Sequence, residues 1–186
     1  SNYTSAAAVL KSREAADLKG REVLIAAGTG PVGVRAAALF ASEGANVTIT
    51  SRKQEKADRK AENIKKVYGI ENVSGIEASS DEDYKKVIKG KDIILSAGPP
   101  KVNFITKEMW ENTAGIKIMA DINAVSPAGI EGIEPQADGD MLGEVKVFGA
   151  LAIGNLKMKL HKKAVKELFK ENDRVFNAFE VYELYE

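Results

Sequence analysis

Three sets of residues in this chain have types and spacings that could do chemistry. The first is Gly28, Thr29, Gly30, Pro31, Val32 and Gly33, a G-x-G-x-x-G run. Glycines at these intervals suit a pyrophosphate. The first permits a tight turn, the second lets backbone approach the phosphates, and the third lets a helix pack close to a strand. The second set is Ser51, Arg52 and Lys53, with Lys56 about a turn further on. A dinucleotide without a 2′-phosphate is met near this point by an Asp or Glu that accepts from the ribose hydroxyls. Here cations and a hydroxyl stand in place of an acid. A planar guanidinium fork and an ammonium suit a phosphate, which a carboxylate would repel. Cations at a helix start also oppose the helix dipole, so their placement asks for an anion. Together the two sets predict NADP as the cofactor; the alternative for the second is a solvated basic helix start.

The third set lies at candidate strand ends: Ser96, Ala97 and Gly98, then Asp121 and Asn123. In open α/β sheets ligands sit beyond the carboxyl ends of the strands. Ser96 to Gly98 are small enough for the second ribose to pass close by. Asp121 reads equally as a ligand-side carboxylate or as one that orders its own loop. Gly149 to Gly154 is another small-residue segment, able either to approach a nicotinamide or to pack tightly on a sheet. The single His161 lies among lysines on a helical stretch and reads as a surface residue. Asp138, Asp140 and Glu144 do not fit a calcium-loop spacing, and no metal site is expected.

A glycine run carries this meaning only between a strand and a helix. Val23 to Ala27 is an apolar strand-type run, and Val34 to Glu43 has helical pattern. Before them, Thr4 to Ala15 reads as a short helix and Leu18 to Arg21 as a linker, which makes residues 1–19 a leading helix with its linker and 20–186 the nucleotide-binding domain. Onward, the pattern predicts strands over Asn46–Thr50, Asn72–Ser79, Asp92–Gly98 and Ile116–Ile122, and a last strand or extended segment over Lys146–Ile153. Helices are predicted over Lys53–Tyr68, Ser80–Ile88, Thr106–Asn112, Gly154 to about Glu171, and Asn177–Tyr185. A Pro/Gly-rich loop is expected from Ile122 through Gly143. Strands alternating with helices predict an α/β fold, a doubly wound parallel sheet of the Rossmann type. The final helix can dock on its own domain or on another subunit, the former being the simpler arrangement.

Composition bounds the rest. The 186 residues include 27 basic and 27 acidic side chains, so no net field recruits nucleic acid or an anionic membrane. With no cysteine there is no disulfide, thiol nucleophile or Cys-ligated metal, which fits a reducing, cytoplasmic setting. No apolar stretch approaches transmembrane length and no signal-peptide pattern opens the chain. The chain opens on Ser1 rather than Met, which predicts a processed chain or a piece of a longer one.

Gly28-Thr-Gly-Pro-Val-Gly-Val-Arg35, Ser51-Arg-Lys-Gln-Glu-Lys-Ala57, Ala120-Asp-Ile-Asn-Ala124 and Phe148-Gly-Ala-Leu-Ala-Ile-Gly-Asn-Leu-Lys-Met-Lys-Leu-His161 together resemble methylene-tetrahydromethanopterin dehydrogenase of the NADP-dependent kind. The last motif is the most specific, and Asn2-Tyr-Thr-Ser-Ala-Ala-Ala8 resembles that family's passage into its nucleotide domain. The resemblance implies oxidation of the methylene bridge of a reduced pterin C1 carrier to the methenyl form, with hydride passing to NADP. Removing hydride from an N–CH₂–N bridge leaves a cation shared by two nitrogens and no proton to abstract, so orientation matters more than a general base. It further implies that Lys157 positions the pterin; a helix-surface lysine is the alternative, with five lysines from Lys157 to Lys166. In that family a separate N-terminal domain forms the other wall of the pterin cleft, and nothing in these residues corresponds to it. The expectation is therefore NADP binding with little or no turnover until that domain or a partner chain is supplied, in a homo-oligomer. Two other readings are a shikimate-dehydrogenase-like NADP domain, suggested by Ser51-Arg-Lys53, and a non-catalytic NADP-binding module.

Overall fold

The computed structural model describes residues 1–170 and 174–185. Its centre is a seven-stranded sheet in the order β3-β2-β1-β4-β5-β7-β6. The strands are β1 (Glu22–Ala26), β2 (Asn46–Ser51), β3 (Val73–Glu77), β4 (Ile93–Ser96), β5 (Ile118–Asp121), β6 (Asp138–Leu142) and β7 (Val145–Phe148). All pairings are parallel except that of β6 with β7. The chain steps outward from β1 to β3, returns across to β4 and continues the other way. The switch point therefore lies between β1 and β4, where such sheets open a crevice at their carboxyl edge.

Helices cover both faces. One face carries α1 (Asn2–Ala15), α2 (Pro31–Ser42), α3 (Gln54–Tyr68), α6 (Ala150–Leu168) and α7 (Ala178–Glu183). The other carries α4 (Asp81–Val87), α5 (Lys107–Glu111) and the loop between β5 and β6. Alternate residues of each strand feed the two cores: Ile93 and Leu95 of β4 face the first, Ile94 the second. That is the doubly wound α/β architecture expected from alternating strand and helix patterns.

Small side chains set the close packing of the first face. Ala6, Ala7 and Ala8 of α1 and Ala36, Ala37 and Ala38 of α2 are all fully buried, and the two helices pack on each other. α7 docks on its own domain, burying Ala178, Val181 and Tyr182 beside α1 and α2. Asn177 caps it by accepting from the amides of Phe179 and Glu180. Ser80 and Asp83 form a capping box at α4, where the acid-rich first turn predicted a helix start.

Two expectations are corrected. The segment from Ile122 to Gly143 is not loop throughout, because Asp138–Leu142 forms β6, the antiparallel edge of a hairpin with β7. The hairpin turns through Gly143 at φ +61°, a position that favours glycine. Its strand was hidden because Asp138, Asp140 and Met141 are all exposed, so no alternation of apolar residues marks it. Helix α6 begins at Ala150 rather than Gly154, with Gly149 as its N-cap. Its expected end near Glu171 lies outside the described residues.

Candidate functional site

The glycine run occupies the crevice. β1 ends at Ala26, the chain turns through Ala27 at φ +53°, and α2 starts at Pro31. The three glycines differ in what surrounds them. A Cβ on Gly33 would lie 2.5 Å from both Cα and the carbonyl oxygen of Gly28, so this glycine lets helix and turn touch. A Cβ on Gly28 would meet the Ile25 carbonyl oxygen at 2.9 Å and Ile49 at 3.0 Å. A Cβ on Gly30 would meet nothing within 4 Å. Packing therefore explains Gly28 and Gly33 and leaves Gly30 facing open space.

Helix α2 begins with Pro at its first position, no side-chain cap and no acid in its first turn. The amides of Val32 and Gly33 belong to the first turn, whose donors have no intrahelical acceptor. The positive end of the helix is thus uncompensated by the chain itself, and it fits the pyrophosphate of a dinucleotide. Thr29 lies within the same turn, half-buried. The turn is braced from behind: the Ala27 amide donates to Thr50 Oγ1 at 2.9 Å, and that hydroxyl lies 3.0 Å from the Tyr84 hydroxyl. Burial pushes the Tyr84 phenol above its ordinary value, which keeps it a neutral partner. Neither residue was singled out in the sequence, because β2 also carries Asn46, Thr48 and Ser51 and residue type does not set Thr50 apart from them.

Ser51 closes β2 as a buried residue, and Arg52, Lys53 and Lys56 follow it, all exposed. None of these three cations forms an ion pair among the described residues. The structure also adds an acid nearby. Glu77 pairs in register with Ser51 at the end of β3 and accepts the Gln54 amide at 2.9 Å, while the Gln54 side-chain oxygen accepts the Glu77 amide at 2.8 Å. Glu77 thus caps α3 where Lys53 provides no side-chain cap. The three cations lie on either side of Gln54 in sequence.

Beyond β4 and β5 the polar residues hold loops. Ser96 and Asp121 are register partners, both almost fully buried. The Asp121 carboxylate accepts the amides of Asn123 at 2.9 Å and Ile130 at 3.0 Å. Burial raises it above the ordinary carboxylate range, with the backbone hydrogen bonds acting in the opposite direction. Gly129 closes over the pair: a Cβ there would lie 2.0 Å from Ser96 Oγ. Asn123 donates to the carbonyls of Gly98 at 3.1 Å and Pro99 at 3.3 Å. At Gly98 a Cβ would strike the Phe104 ring at 2.3 Å and Ala27 at 3.0 Å. Ala97 and Gly98 remain half-buried beside the turn, whereas the Ser96 and Asp121 side chains are covered. Beyond Asn123 an open cleft of about 670 Å³ runs past Asn103, Pro127, Glu131 and Glu134.

Gly149 sits beneath Glu134 and Pro135, where a Cβ would lie 2.1 Å from the Glu134 carbonyl oxygen. It packs tightly against that backbone. Lys157 is half-exposed on the second turn of α6. It shares a neighbourhood with Arg35 of α2, both charges lying near Ser1. His161 is exposed and meets Tyr3 edge-on, with ring centroids 5.1 Å apart. Asp138 pairs with Lys11 at 2.9 Å, and its amide donates to Asp140. Among the described residues no group of three His, Asp or Glu side chains is placed to hold a metal ion, and no helix is long and apolar enough to cross a membrane.

The sequence profile of the shikimate / quinate 5-dehydrogenase family matches residues 9–133. The chain belongs to that family. This stretch runs from α1 through the loop that Asp121 orders, so the family match contains the crevice described above. Two curated relatives, both from Methylorubrum extorquens, extend the likeness beyond it. The bifunctional protein MdtA is 40% identical over 186 residues, 99% of this chain and 64% of its own length. An NAD(P)-dependent methylenetetrahydromethanopterin dehydrogenase is 37% identical over 151 residues, 80% of this chain and 50% of its own. These relatives bear out the resemblance carried by the motifs. The chain spans between half and two thirds of their lengths. Among solved structures, quinate dehydrogenase from Corynebacterium glutamicum in complex with NAD superposes over all of this chain and 62% of its own, with TM-score 0.56 and 14% identity. At that identity the match speaks for the fold alone, a sheet of the Rossmann type. Family and relatives agree on NAD(P)-linked oxidoreductase ancestry.

Proposed function

We propose that this shikimate / quinate 5-dehydrogenase family member is the NADP-binding part of a dehydrogenase that oxidises the methylene bridge of a reduced pterin C1 carrier, methylene-tetrahydromethanopterin or methylene-tetrahydrofolate, to the methenyl form. The observation that carries the cofactor half is Gly30, open on a turn whose other two glycines are consumed by packing. The substrate half rests on the identity to the methylenetetrahydromethanopterin dehydrogenase. Residues 20–186 form the cofactor domain in this reading, with 1–19 as its leading helix and linker, within a cytoplasmic homo-oligomer.

The turn from Gly28 to Gly33 and the first amides of α2 would hold the pyrophosphate. Ser51, Arg52, Lys53 and Lys56 would hold the 2′-phosphate, and Ala97 and Gly98 would border the second ribose. Bound NADP supplies the hydride acceptor. No residue need act as a base, because loss of hydride from the bridge leaves a cation that its two nitrogens share. Lys157 would position the carrier through its charge. A site with one wall cannot exclude water or bury most of a ligand, so turnover awaits the domain or partner that supplies the second wall. The family profile favours a second reading, a shikimate- or quinate-type substrate at the same site. A non-catalytic NADP-binding module is the third.

Titration with NADPH and NADH, followed by nicotinamide fluorescence, tests the cofactor half. NADPH should bind more tightly. Arg52→Ala should cost roughly 1.5–3 kcal/mol of NADPH binding, the range of a charge-assisted hydrogen bond, and leave NADH nearly unchanged. Equal loss for both would remove the 2′-phosphate assignment. Supplying the N-terminal part of a longer relative with methylene-pterin, and separately with shikimate, tests the substrate half. NADPH formation from shikimate alone would select the second reading, and binding without turnover of either would select the module.

A further inference from the structure

We propose that the outward face of α6 is a docking surface for an acidic amphipathic helix of a partner protein. The side of α6 that faces the sheet is conventional: Ala152, Leu156, Leu160 and Ala164 recur at four-residue intervals and are buried. On the opposite side Leu151, Met158 and Val165 recur at seven-residue intervals, 52%, 46% and 38% exposed, and Phe169 follows at 86%. Each seven-residue step drifts only about 20° around a straight helix, so these side chains form one narrow row facing away from the protein. Single exposed apolar residues are ordinary. A solvent-facing helix side is nevertheless normally polar, and one apolar position in every heptad supplies half of the a/d pattern of a helix–helix seam, which Leu168 and Phe169 complete only at the end of the row.

Gly154 adds an independent observation. It lies in the helix interior beside this row, where glycine is less stable than alanine. A Cβ there would meet nothing within 4 Å, so no neighbour in this chain requires the glycine. Its absent side chain leaves a dip into which another backbone can settle.

Charge decides the occupant. Although the whole chain is balanced, α6 carries five lysines against one glutamate. Lys159, Lys162 and Lys166 flank the apolar row on one side and form no ion pair among the described residues. Some lysines elsewhere on the surface find carboxylates, as Lys65 does with Glu62, Lys85 with Glu82 and Lys107 with Glu111. A second copy of α6 would set lysine row against lysine row. A membrane surface would call for an apolar face far broader than one side chain. A helix with an apolar seam flanked by Glu or Asp satisfies both the row and the lysines.

The test uses the full chain and a labelled four-heptad synthetic peptide with Leu at a and d and Glu at e and g, read by fluorescence anisotropy. Saturable binding is expected, weakening as salt rises. Met158→Glu with Val165→Glu should lower affinity at least tenfold with the melting temperature unchanged. Reversal of Lys159, Lys162 and Lys166 to Glu should abolish binding of the Glu peptide and restore it for a peptide bearing Lys at e and g. Failure of the Glu peptide to bind, or binding indifferent to these substitutions, overturns the proposal. So does retention on phosphatidylserine vesicles that Met158→Glu removes, which assigns the face to a membrane. Dimerisation of the chain that Met158→Glu removes, measured by sedimentation, assigns it to a second copy and equally overturns it.

Discussion

Alanine at Gly30 and alanine at Gly33 should fail in opposite ways, and the contrast tests the assignment of the crevice. At Gly33 the new Cβ would lie 2.5 Å from two backbone atoms of Gly28 and 2.7 Å from a third. No flexible side chain is there to yield, so α2 must shift outward by about an ångström. Overpacking of this kind costs about 1–3 kcal/mol, visible as a lowered urea midpoint with or without cofactor. At Gly30 the new methyl enters open space, and the backbone at φ −80°, ψ 173° suits any residue. The fold loses only the N-cap preference of glycine over alanine, below about 1 kcal/mol. If the pyrophosphate rests on that backbone, the methyl displaces it from the amides of α2. Loss of even two charge-assisted hydrogen bonds, about 1.5–3 kcal/mol each, weakens NADPH binding by roughly a hundredfold or more. The assay is nicotinamide fluorescence for affinity beside urea unfolding for stability, on both variants. Normal NADPH affinity in Gly30→Ala would refute the placement of the pyrophosphate. An unchanged urea midpoint in Gly33→Ala would refute the packing argument that distinguishes the two glycines.

Burial holds the Tyr182 phenol above its ordinary value of 10.0, so the folded state keeps a proton that the unfolded chain gives up. The stability linked to this group is complete below pH 10 and is lost as pH rises above it; urea midpoints should show a shallower alkaline decline in Tyr182→Phe than in the native chain. Gly129→Ala places a methyl 2.0 Å from Ser96 Oγ and should destabilise by about 1–3 kcal/mol. Ser96→Gly in the same chain should recover much of that loss, as thermal unfolding of the single and double variants would show. Lys157→Ala should leave NADPH affinity within twofold of native, because the lysine is assigned to the carrier; a large loss in the same fluorescence titration would move it to the cofactor.

Regular elements were legible where periodicity was strong. The β1 run, the α2 run and the charged α3 with Ala57, Ala61 and Ile64 facing inward are found within a residue or a few of their expected bounds. The β6 strand was not legible, because an exposed edge strand has no buried face and so leaves no alternation to read. The start of α6 was misjudged for a related reason. Gly149 and Gly154 look alike in sequence, yet one is forced by the carbonyl of Glu134 and the other is forced by nothing. Only tertiary contact distinguishes a glycine that caps a helix from one inside it.

The same limit governs the candidate site. A polar residue at a strand's carboxyl end can face a ligand or hold the loop that follows, and residue type does not choose between them. Asp121 orders its loop by accepting from Asn123 and Ile130 two and nine residues onward. The second of these amides comes into reach only because the chain returns over Ser96, at a glycine whose missing Cβ leaves room for that hydroxyl. Asn123 then ties the loop to the carbonyls after β4, beside the glycine turn. The fold therefore spends its polar residues at β4 and β5 on joining two loops into one rim. The turn after β1 differs because helix α2 starts there with no cap and no acid of its own. On the proposed reading an anion from outside the chain fills that place, and this makes the glycine run the part of the candidate site that could be read before any contact was known.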